Sequence, residues 1–284
     1  APRLGELLTP MLAALTTRGP DSAGIALYGA EPPDGRLKFS LRAPEADYPW
    51  QPLADRLAAE LDDKVTVTAN ANMGIVTAGG DATRFLALLE AAAPELVVVG
   101  FGHAMEIYKD VGAPADICRR YRLEGVAGYQ GVGHTRMATE SAVTTDHSHP
   151  FAPAADLALI HNGSFSNHAT IRRRLADDGV RFATDNDSEV AASYVAWRMA
   201  QGDDLGDALR MVLKEFDGFF TLLVSTRDQF AVVRDAFACK PAVIAEAPGY
   251  VAMASEYHAL AGLPGIEQAD VFEPMPEEIH LWSR

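Results

Sequence analysis

The spacing of apolar residues along this 284-residue chain changes repeatedly, and each change marks a predicted element. From Leu4 to Thr17, apolar residues recur every three or four positions, which predicts a helix buried on one face. A Gly-Pro pair ends that helix, and Ile25 to Tyr28 follows as a strand. After a turn-rich loop, Leu37 to Leu41 is expected to return as the second strand of a hairpin.

The middle of the chain, from about residue 34 to residue 128, mixes helical and alternating patterns. The predicted elements there are helices at residues 50–62, 82–92 and 114–121 and strands at residues 64–69 and 96–99. We expect this region to form a small α/β insertion within a single domain that spans residues 1–284.

The last third of the chain predicts helices followed by closely spaced strands. Ser164 or Ser166 would cap a helix that ends near Asp177. Further helices are predicted at residues 188–199 and 205–216, and strands at residues 219–225, 230–234, 242–245 and 250–254. Short strands separated by turns are typical of an antiparallel sheet, so the pattern favours a layered sandwich over a doubly wound parallel fold.

Composition narrows the class of protein. Hydrophobic residues at 48% and charged residues at 22% are ordinary for a soluble globular protein. The formal net charge of -15 argues against nucleic-acid binding, because nothing would balance phosphate repulsion, and it leaves no basic face for an anionic membrane. No apolar run reaches the ~18 residues of a membrane span, and no secretory signal opens the sequence. We therefore expect a cytoplasmic protein that binds neither nucleic acid nor membrane.

Candidate chemistry concentrates between Gly131 and Gly163. A short apolar approach leads to Arg136, a Thr-, Ser- and His-rich loop leads to His149, and a buried strand at residues 156–160 runs into His161-Asn162-Gly163. A guanidinium can fork around a carboxylate, and an Asn amide with a Gly N–H can meet an oxyanion. This combination indicates a site for a substrate with a carboxylate and an acyl group.

Each signal also has a simpler structural interpretation. The His161-Asn162-Gly163 segment could be only a strand end before a helix, and Arg18 could simply pair with Asp21. The spacing of His134, His149 and His161 fits no standard zinc pattern, and Cys118 and Cys239 show no metal-ligand spacing either. We therefore expect no metal. A Ser-His-Asp triad lacks the Gly-x-Ser-x-Gly turn that would support it.

The order of the short motifs is more informative than any one of them. RGPDSAG, GHTRMAT, HSHPF, HNG, NDSE, RDAFACKPA and ASE follow one another along the chain. In this order they resemble the class II glutamine amidotransferases, which carry an N-terminal-nucleophile glutaminase domain. The resemblance implies an α+β fold, a four-layer αββα sandwich of antiparallel sheets, with the middle region as an insertion.

The resemblance also implies roles for individual residues. Arg136 would bind the α-carboxylate of glutamine, Asp187 would hold its ammonium, and Asn162 with Gly163 would form the oxyanion hole. His149 would border the substrate. The residues implied to support the site are Arg18, Asp21 and His161.

The chain departs from the family pattern at three places. Met137 stands where the family has a Trp, and Ala238 stands where it has a Gly. The family nucleophile is an N-terminal cysteine whose amine serves as its base, and no cysteine opens this sequence. Neither Cys118 nor Cys239 matches that position. We expect the native protein to carry the nucleophile ahead of Ala1, because losing the first strand would expose sheet edge and core. The alternative is a degenerate amidotransferase without glutaminase activity.

The resemblance extends to a subgroup. The chain's length, its GPDSAGIALYG start and the segment MEIYKDVGAPADICRRY resemble the amidotransferase-like subunit of N-methylglutamate synthase and glutamate-synthase-like complexes. This implies hydrolysis of glutamine, ammonia passed to partner subunits, and FMN or an iron–sulfur cluster on those partners, with no cofactor in this chain. The alternatives are a non-catalytic scaffold or regulatory subunit that binds glutamine or glutamate, and a hydrolase acting on another amide.

Overall fold

The computed structural model describes residues 4–137 and 144–284. Two antiparallel sheets lie face to face in it, and helices cover the outer side of each sheet. The helices are α1 (Leu4–Ala14), α2 (Trp50–Leu61), α3 (Ala82–Ala92), α4 (Pro114–Arg120), α5 (His168–Asp177), α6 (Asp187–Ala200) and α7 (Leu205–Glu215). This arrangement confirms the α+β fold class and the four-layer αββα sandwich.

The strands of the first half of the chain are β1 (Ser22–Tyr28), β2 (Leu37–Arg42), β3 (Thr66–Asn70), β4 (Met73–Ala78), β5 (Val97–Gly102), β6 (Met105–Val111) and β7 (Gln130–Arg136). Those of the second half are β8 (Phe151–Ala154), β9 (Leu157–Phe165), β10 (Gly218–Ser225), β11 (Gln229–Arg234), β12 (Val243–Ala247), β13 (Tyr250–Ala254), β14 (Asp270–Phe272) and β15 (Ile279–Ser283). Six of these strands, β4, β6, β7, β8, β14 and β15, were not predicted as strands from the sequence.

The two facing sheets have the strand orders β6-β1-β7 and β15-β11-β10-β9-β8. Because side chains alternate along a strand, β9 contributes residues to the cores on both of its faces. Leu157 and Leu159 join the core under α5, α6 and α7, while Ala158 and Ile160 join the core shared with β1. The outer face of the first sheet packs against α1 and α4.

Residues 37–102 form a separate four-stranded sheet, ordered β3-β4-β2-β5, with α2 and α3 against it and a core of its own. The predicted hairpin between the first two strands is wrong, because β1 is paired by β6 on one edge and by β7 on the other. Strand β2 pairs with β4 and β5 instead. The predicted insertion of residues 34–128 remains a prediction, and within it β6 belongs to the sheet of β1.

The strand that carries the HNG motif is longer than expected. Pairing between β9 and β10 continues past Ile160 to Phe165, which lies opposite Gly218. The proposed caps Ser164 and Ser166 are therefore wrong. Helix α5 begins only at His168, and Asn167 occupies the cap position without a capping hydrogen bond from its side chain. Backbone pairing with β10 continues through Ser164 to Phe165, and this tertiary contact outweighs the local preference of serine for a helix cap.

A third small sheet, ordered β13-β12-β14, lies beside α1. Apolar side chains of α1, among them Leu7 and Met11, pack against Leu260 and Leu263 next to that sheet. No helix within residues 4–137 and 144–284 combines the length and apolar character needed to cross a bilayer.

One buried hydroxyl joins the two facing sheets. Tyr28, at the end of β1, is completely buried, and its hydroxyl lies 2.9 Å from Oγ of Ser225. Backbone carbonyl oxygens of Ser225 and Asp156 lie at 3.1 and 3.2 Å. The hydroxyl therefore meets polar groups of the opposing sheet at a point without access to solvent, and burial raises its pKa.

We predict that Tyr28→Phe lowers the free energy of unfolding by about 1–3 kcal/mol, because buried acceptors lose their donor. Chemical denaturation followed by circular dichroism would measure it. Tyr257→Phe is the control, because that ring is 48% exposed, and it should change stability by less than about 0.5 kcal/mol. Equal effects of the two variants would contradict a bridging role for Tyr28.

Candidate functional site

A cavity of about 1130 Å³ opens between the two facing sheets, α1 and the small third sheet. Its walls include β7, the middle of β9, the apolar face of α1 and strand β13. The apolar part is formed by leucines of α1 together with Ile160, Leu223 and Phe230, while the polar part gathers Arg18, His134, Arg136, His149, His161, Asn162 and Lys240. The cavity therefore has an apolar interior with a cluster of polar groups in its wall, as small-molecule sites usually do.

Strand register explains why Arg136 and Asn162 meet at this cavity. Arg136 lies opposite Ser22 and His134 lies opposite Gly24, so both point to one face of the first sheet. Asn162 shares its face of β9 with Ile160, which packs toward the first sheet. The guanidinium and the Asn amide thus come from opposite sheets toward the same space, although they are 26 positions apart in the chain.

Gly163 has a conformation that only glycine adopts readily. Its φ of 146° lies in the region that L side chains avoid. A Cβ built there would lie 2.0 Å from the carbonyl oxygen of Phe219 on β10. The backbone conformation at this position therefore requires a glycine. Gly163 is also exposed in the cavity wall, so its backbone is accessible to a bound molecule.

Three histidines pack together at the inner end of the site. The rings of His134 and His149 have centroids 4.3 Å apart, and those of His149 and His161 are 6.5 Å apart. Burial lowers the pKa of His134 to about 3, with further lowering from His161, Arg136 and Arg18. Burial also holds the pKa of His149 well below its usual range, with smaller contributions from its charged neighbours. The cluster is therefore neutral at physiological pH.

His161 connects the cluster to the start of α6. Its Nδ1 lies 2.9 Å from Oγ of Ser188 and 3.8 Å from Oδ1 of Asp187. Burial lowers the pKa of His161 to about 4, although Asp187 raises it, while Lys240 lowers it further. Asp187 is the first residue of the helix, where a carboxylate is favoured by the helix dipole.

Asp187 lies behind the cavity wall rather than in it. Its Oδ2 accepts a hydrogen bond of 3.0 Å from the backbone N–H of Phe165, and its Oδ1 accepts one of 3.2 Å from Ser188. It is absent from the residues that line the cavity, whereas Arg136, His149, His161, Asn162 and Gly163 all line it. The structure therefore brings the predicted carboxylate-binding and oxyanion groups together and sets the predicted ammonium ligand one layer back.

Arg18 lines the cavity and pairs with Glu256 rather than with Asp21, the partner that the simpler structural interpretation offered. Its Nη1 donates to Oε1 of Glu256 at 2.6 Å, which joins the RGPDSAG and ASE motifs across the chain. The backbone of Asp21 instead holds β7, because its N–H donates to the carbonyl of Arg136 at 3.1 Å. Both residues support the wall that carries Arg136.

Two polar residues at the site were not singled out from the sequence. Glu256 is the partner of Arg18, and Lys240 lines the cavity with its ammonium 5.1 Å from the centre of the Phe219 ring. The motifs RDAFACKPA and ASE contained both residues, but only the fold shows that Lys240 lines the cavity and that Glu256 pairs with Arg18, which lines it as well. Met137 also lines it and is 55% exposed.

Ala238 occupies the turn where the family pattern has a glycine, and its φ of 49° explains that preference. Asp235 accepts hydrogen bonds from the N–H groups of Phe237 and Ala238 and so holds the turn in place. The two cysteines lie elsewhere. Cys118 is buried on α4, where burial raises its pKa to about 11, and Cys239 is exposed on the turn.

Within residues 4–137 and 144–284, no group of three or more His, Cys, Asp or Glu side chains is arranged to hold a metal ion. The Thr and Ser residues of the predicted loop at positions 138–143 lie outside the described residues.

Comparisons with known proteins agree on one family. The model of the glutamine amidotransferase domain matches residues 134–262. Over 283 residues the chain is 45% identical to a glutamine amidotransferase-like protein of Rhizobium meliloti (strain 1021), covering 99% of this chain and 93% of the relative. It is 29% identical over 186 residues to an amidophosphoribosyltransferase of Methanocaldococcus jannaschii, covering 63% of this chain and 40% of that protein.

Among solved structures, the chain is similar to the glutamine phosphoribosylpyrophosphate amidotransferase from B. subtilis complexed with ADP and GMP. The TM-score is 0.64 at 18% sequence identity, and the match covers 99% of this chain. It covers 45% of the solved chain, so this chain spans less than half of that enzyme's length. At this identity the likeness establishes the fold.

We predict that the buried histidines make the protein unstable in acid. Their pKa values are lowered in the folded state, so unfolding takes up protons below the ordinary histidine pKa of about 6.5. The stabilisation is complete above that pH and is lost as the pH falls toward 4. With up to three protons taken up, the slope approaches about 4 kcal/mol per pH unit.

Denaturation at a series of pH values would measure this slope. His149→Gln should reduce the proton uptake on unfolding between pH 6.5 and 4.5 by about one proton, because one buried imidazole is gone. An unchanged uptake in that variant would contradict the assignment.

Proposed function

This chain belongs to the glutamine amidotransferase family, and on that premise we propose that it binds glutamine in the cavity between its two facing sheets. The observation that carries the proposal is the meeting of Arg136 and Asn162 in one cavity from opposite sheets. A guanidinium suits the α-carboxylate of an amino acid, because its two parallel N–H groups match the two carboxylate oxygens.

The ammonium of the substrate is assigned to Asp187. Each of its carboxylate oxygens accepts one protein hydrogen bond, from Phe165 or from Ser188, and a carboxylate has about four acceptor sites in all. Capacity for a further donor therefore remains. Asp187 is not among the residues that line the cavity, which makes it the least direct of the proposed ligands.

The carbonyl of the substrate side-chain amide would be directed at Asn162 and Gly163. Attack on this carbon places negative charge on its oxygen, and an amide N–H with a backbone N–H stabilises that charge most where water is excluded. Gly163 suits this role because its backbone is exposed in the cavity wall without a side chain in front of it. Removing one such donor typically slows turnover by about 100- to 1,000-fold.

Hydrolysis further requires a nucleophile, which the family resemblance assigns to an N-terminal cysteine thiol activated by its own amine. Among the described strands β7 pairs only with β1, and β13 pairs only with β12, so each presents an open edge. Both strands line the cavity, and an extended segment could pair with them beside the apolar side chains of α1.

A non-catalytic role is the second candidate, and the positions of the two cysteines favour it. Cys118 is buried on α4, and Cys239 is exposed on a turn, so neither thiol lines the cavity. With these residues alone, the site would bind glutamine or glutamate without cleaving it. The chain would then act as a scaffold or regulatory subunit.

A more specific proposal concerns the complex that would receive ammonia from glutamine. We place the chain in an N-methylglutamate synthase or a related glutamate-synthase-like complex, where it would supply ammonia to partner subunits. FMN or an iron–sulfur cluster would belong to those partners. What supports this is the similarity of the segments around MEIYKDV and GPDSAGIALYG to that subgroup.

Arg136→Ala should raise the dissociation constant for glutamine by about 10- to 100-fold, because a charge-assisted bidentate contact is lost. Isothermal titration calorimetry would measure it. Arg173→Ala is the matched control, since Arg173 is an exposed residue of α5 away from the cavity, and its affinity should equal that of the unaltered protein. An unchanged dissociation constant in Arg136→Ala would remove the residue from the carboxylate role.

Intact mass and N-terminal sequencing of the protein purified from its native source should separate hydrolysis from binding. A mature N-terminal cysteine that is labelled by a glutamine-mimicking diazoketone supports hydrolysis. A native N-terminus at Ala1, together with glutamine binding and no label, would reject hydrolysis and leave the binding role.

A further inference from the structure

Lys109 is a buried cation that the proposed chemistry does not use. It lies on β6 and is 5% exposed. Its Nζ donates a hydrogen bond of 3.1 Å to the carbonyl oxygen of Ser148, and it stands 5.4 Å from the centre of the Phe151 ring. It forms no ion pair with a carboxylate in the described parts of the chain. Burying an ammonium without a carboxylate partner costs free energy, so we expect its hydrogen bond to have a structural role.

The contact is with the segment that carries His149. Lys109 and His134 lie on either side of Gly24 in one rung of the first sheet, and all three point to the same face. Gly24 leaves a gap in this rung. A Cβ at Gly24 would lie 2.0 Å from the carbonyl oxygen of His149 and 2.7 Å from Cβ of Lys109. The backbone of His149 therefore fills the gap between the lysine and His134.

The segment of residues 144–149, which we call the histidine segment, has further anchors. Ser148 Oγ donates to Oγ of Ser22 at 3.0 Å, and Ser22 is on the same face of β1 as Gly24. Asp146 meets Arg42 of β2 at 3.3 Å, and His147 lies 2.9 Å from Asp185. Lys109 and Ser22 both contact Ser148, the residue before His149, and Lys109 contacts its backbone carbonyl.

We propose that Lys109 is a positioning residue that clamps the histidine segment onto Gly24 and thereby fixes His149 in the wall of the glutamine cavity. The effect of the clamp on glutamine binding rests on the proposed function. The clamp itself is a property of the fold. Without the ammonium, the carbonyl of Ser148 loses its donor, and the backbone of His149 is held in the rung less tightly.

The charge of Lys109 is poised near neutral pH. Burial lowers the pKa of its ammonium to about 8, while Asp146 and Glu189 raise it and Arg42 lowers it. His149, the other titratable group facing it, stays neutral because its own pKa is far below 7. The clamp therefore weakens as the pH rises above 8, when the ammonium loses its proton.

Hydrogen–deuterium exchange measured by mass spectrometry on the protein without ligand tests the clamp. In Lys109→Met, amides of residues 144–149 should exchange at least fivefold faster. Lys109→Arg should restore protection, because a guanidinium keeps a donor at any working pH. Lys38→Met is the matched control: Lys38 is also buried, but its ammonium contacts Glu106 and the carbonyl of Ala104. In Lys38→Met, the histidine segment should exchange at the same rate as in the unaltered protein.

A second measurement requires no apolar substitution. In the unaltered protein, exchange of the histidine segment, corrected for its intrinsic pH dependence, should accelerate between pH 7 and pH 9.5. Lys109→Arg should abolish that acceleration. If Lys109→Met does not fold, this comparison alone decides. Equal protection at both pH values, or equal acceleration in the arginine variant, would overturn the proposal.

Glutamine affinity gives the functional readout. Lys109→Met should raise the dissociation constant at least fivefold, and Lys109→Arg should return it to within twofold. If the unaltered protein does not bind glutamine, the proposed function fails, while the exchange measurements still decide the clamp. If glutamine binds and Lys109→Met changes neither exchange nor affinity, the clamp is wrong and the proposed function stands.

Discussion

The burial of strand β1 is the constraint on which the rest of the structure depends. All seven of its residues are buried, and both of its edges are paired. One face carries Ile25 and Leu27 into the core under α1, and the other faces the second sheet. Tyr28 fixes the spacing of the sheets at one end of the strand, and Gly24 receives His149 near the other. These two contacts join the facing sheets near the two ends of β1, and the cavity lies between the same sheets.

The cavity wall combines neutral histidines with the cations Arg18, Arg136 and Lys240. Burial keeps the histidine cluster uncharged, so a carboxylate bound at Arg136, as proposed, would meet no competition from protonated imidazoles. The low polarity of the same surroundings strengthens any hydrogen bond from Asn162 to a developing oxyanion. The cost of this arrangement is instability in acid, because the same histidines must be protonated when the chain unfolds there.

The separate sheet of residues 37–102 contacts the rest of the fold through apolar and polar groups, and its Met73, Ile75 and Val99 belong to the core shared with β1. Arg42 on β2 meets Asp146, and Lys109 on the adjoining β6 meets Ser148. Both polar contacts end on the histidine segment, while the apolar residues on the other face of the sheet pack against α2 and α3.

The sequence by itself determined the helices, most of the strands and the order of the motifs. Periodicity predicts α3 at its observed bounds, because an amphipathic helix records its buried face directly in its own residues. The side chains of Arg136 and Asn162 were identifiable for a similar reason, since each role demands one residue type. The fold class followed from the resemblance that these motifs carry together.

Tertiary structure decided which strands pair and which side chains meet. The chain alone did not show that β6 pairs with β1, that Arg18 meets Glu256, or that Asp187 stands behind the cavity wall. The rung of Lys109, Gly24 and His134 was equally hidden. Such contacts join residues that are tens to hundreds of positions apart, and their geometry comes from register and sheet separation. The spacing of residues along the chain predicts neither strand register nor sheet separation, because both are set by the packing of the whole sandwich.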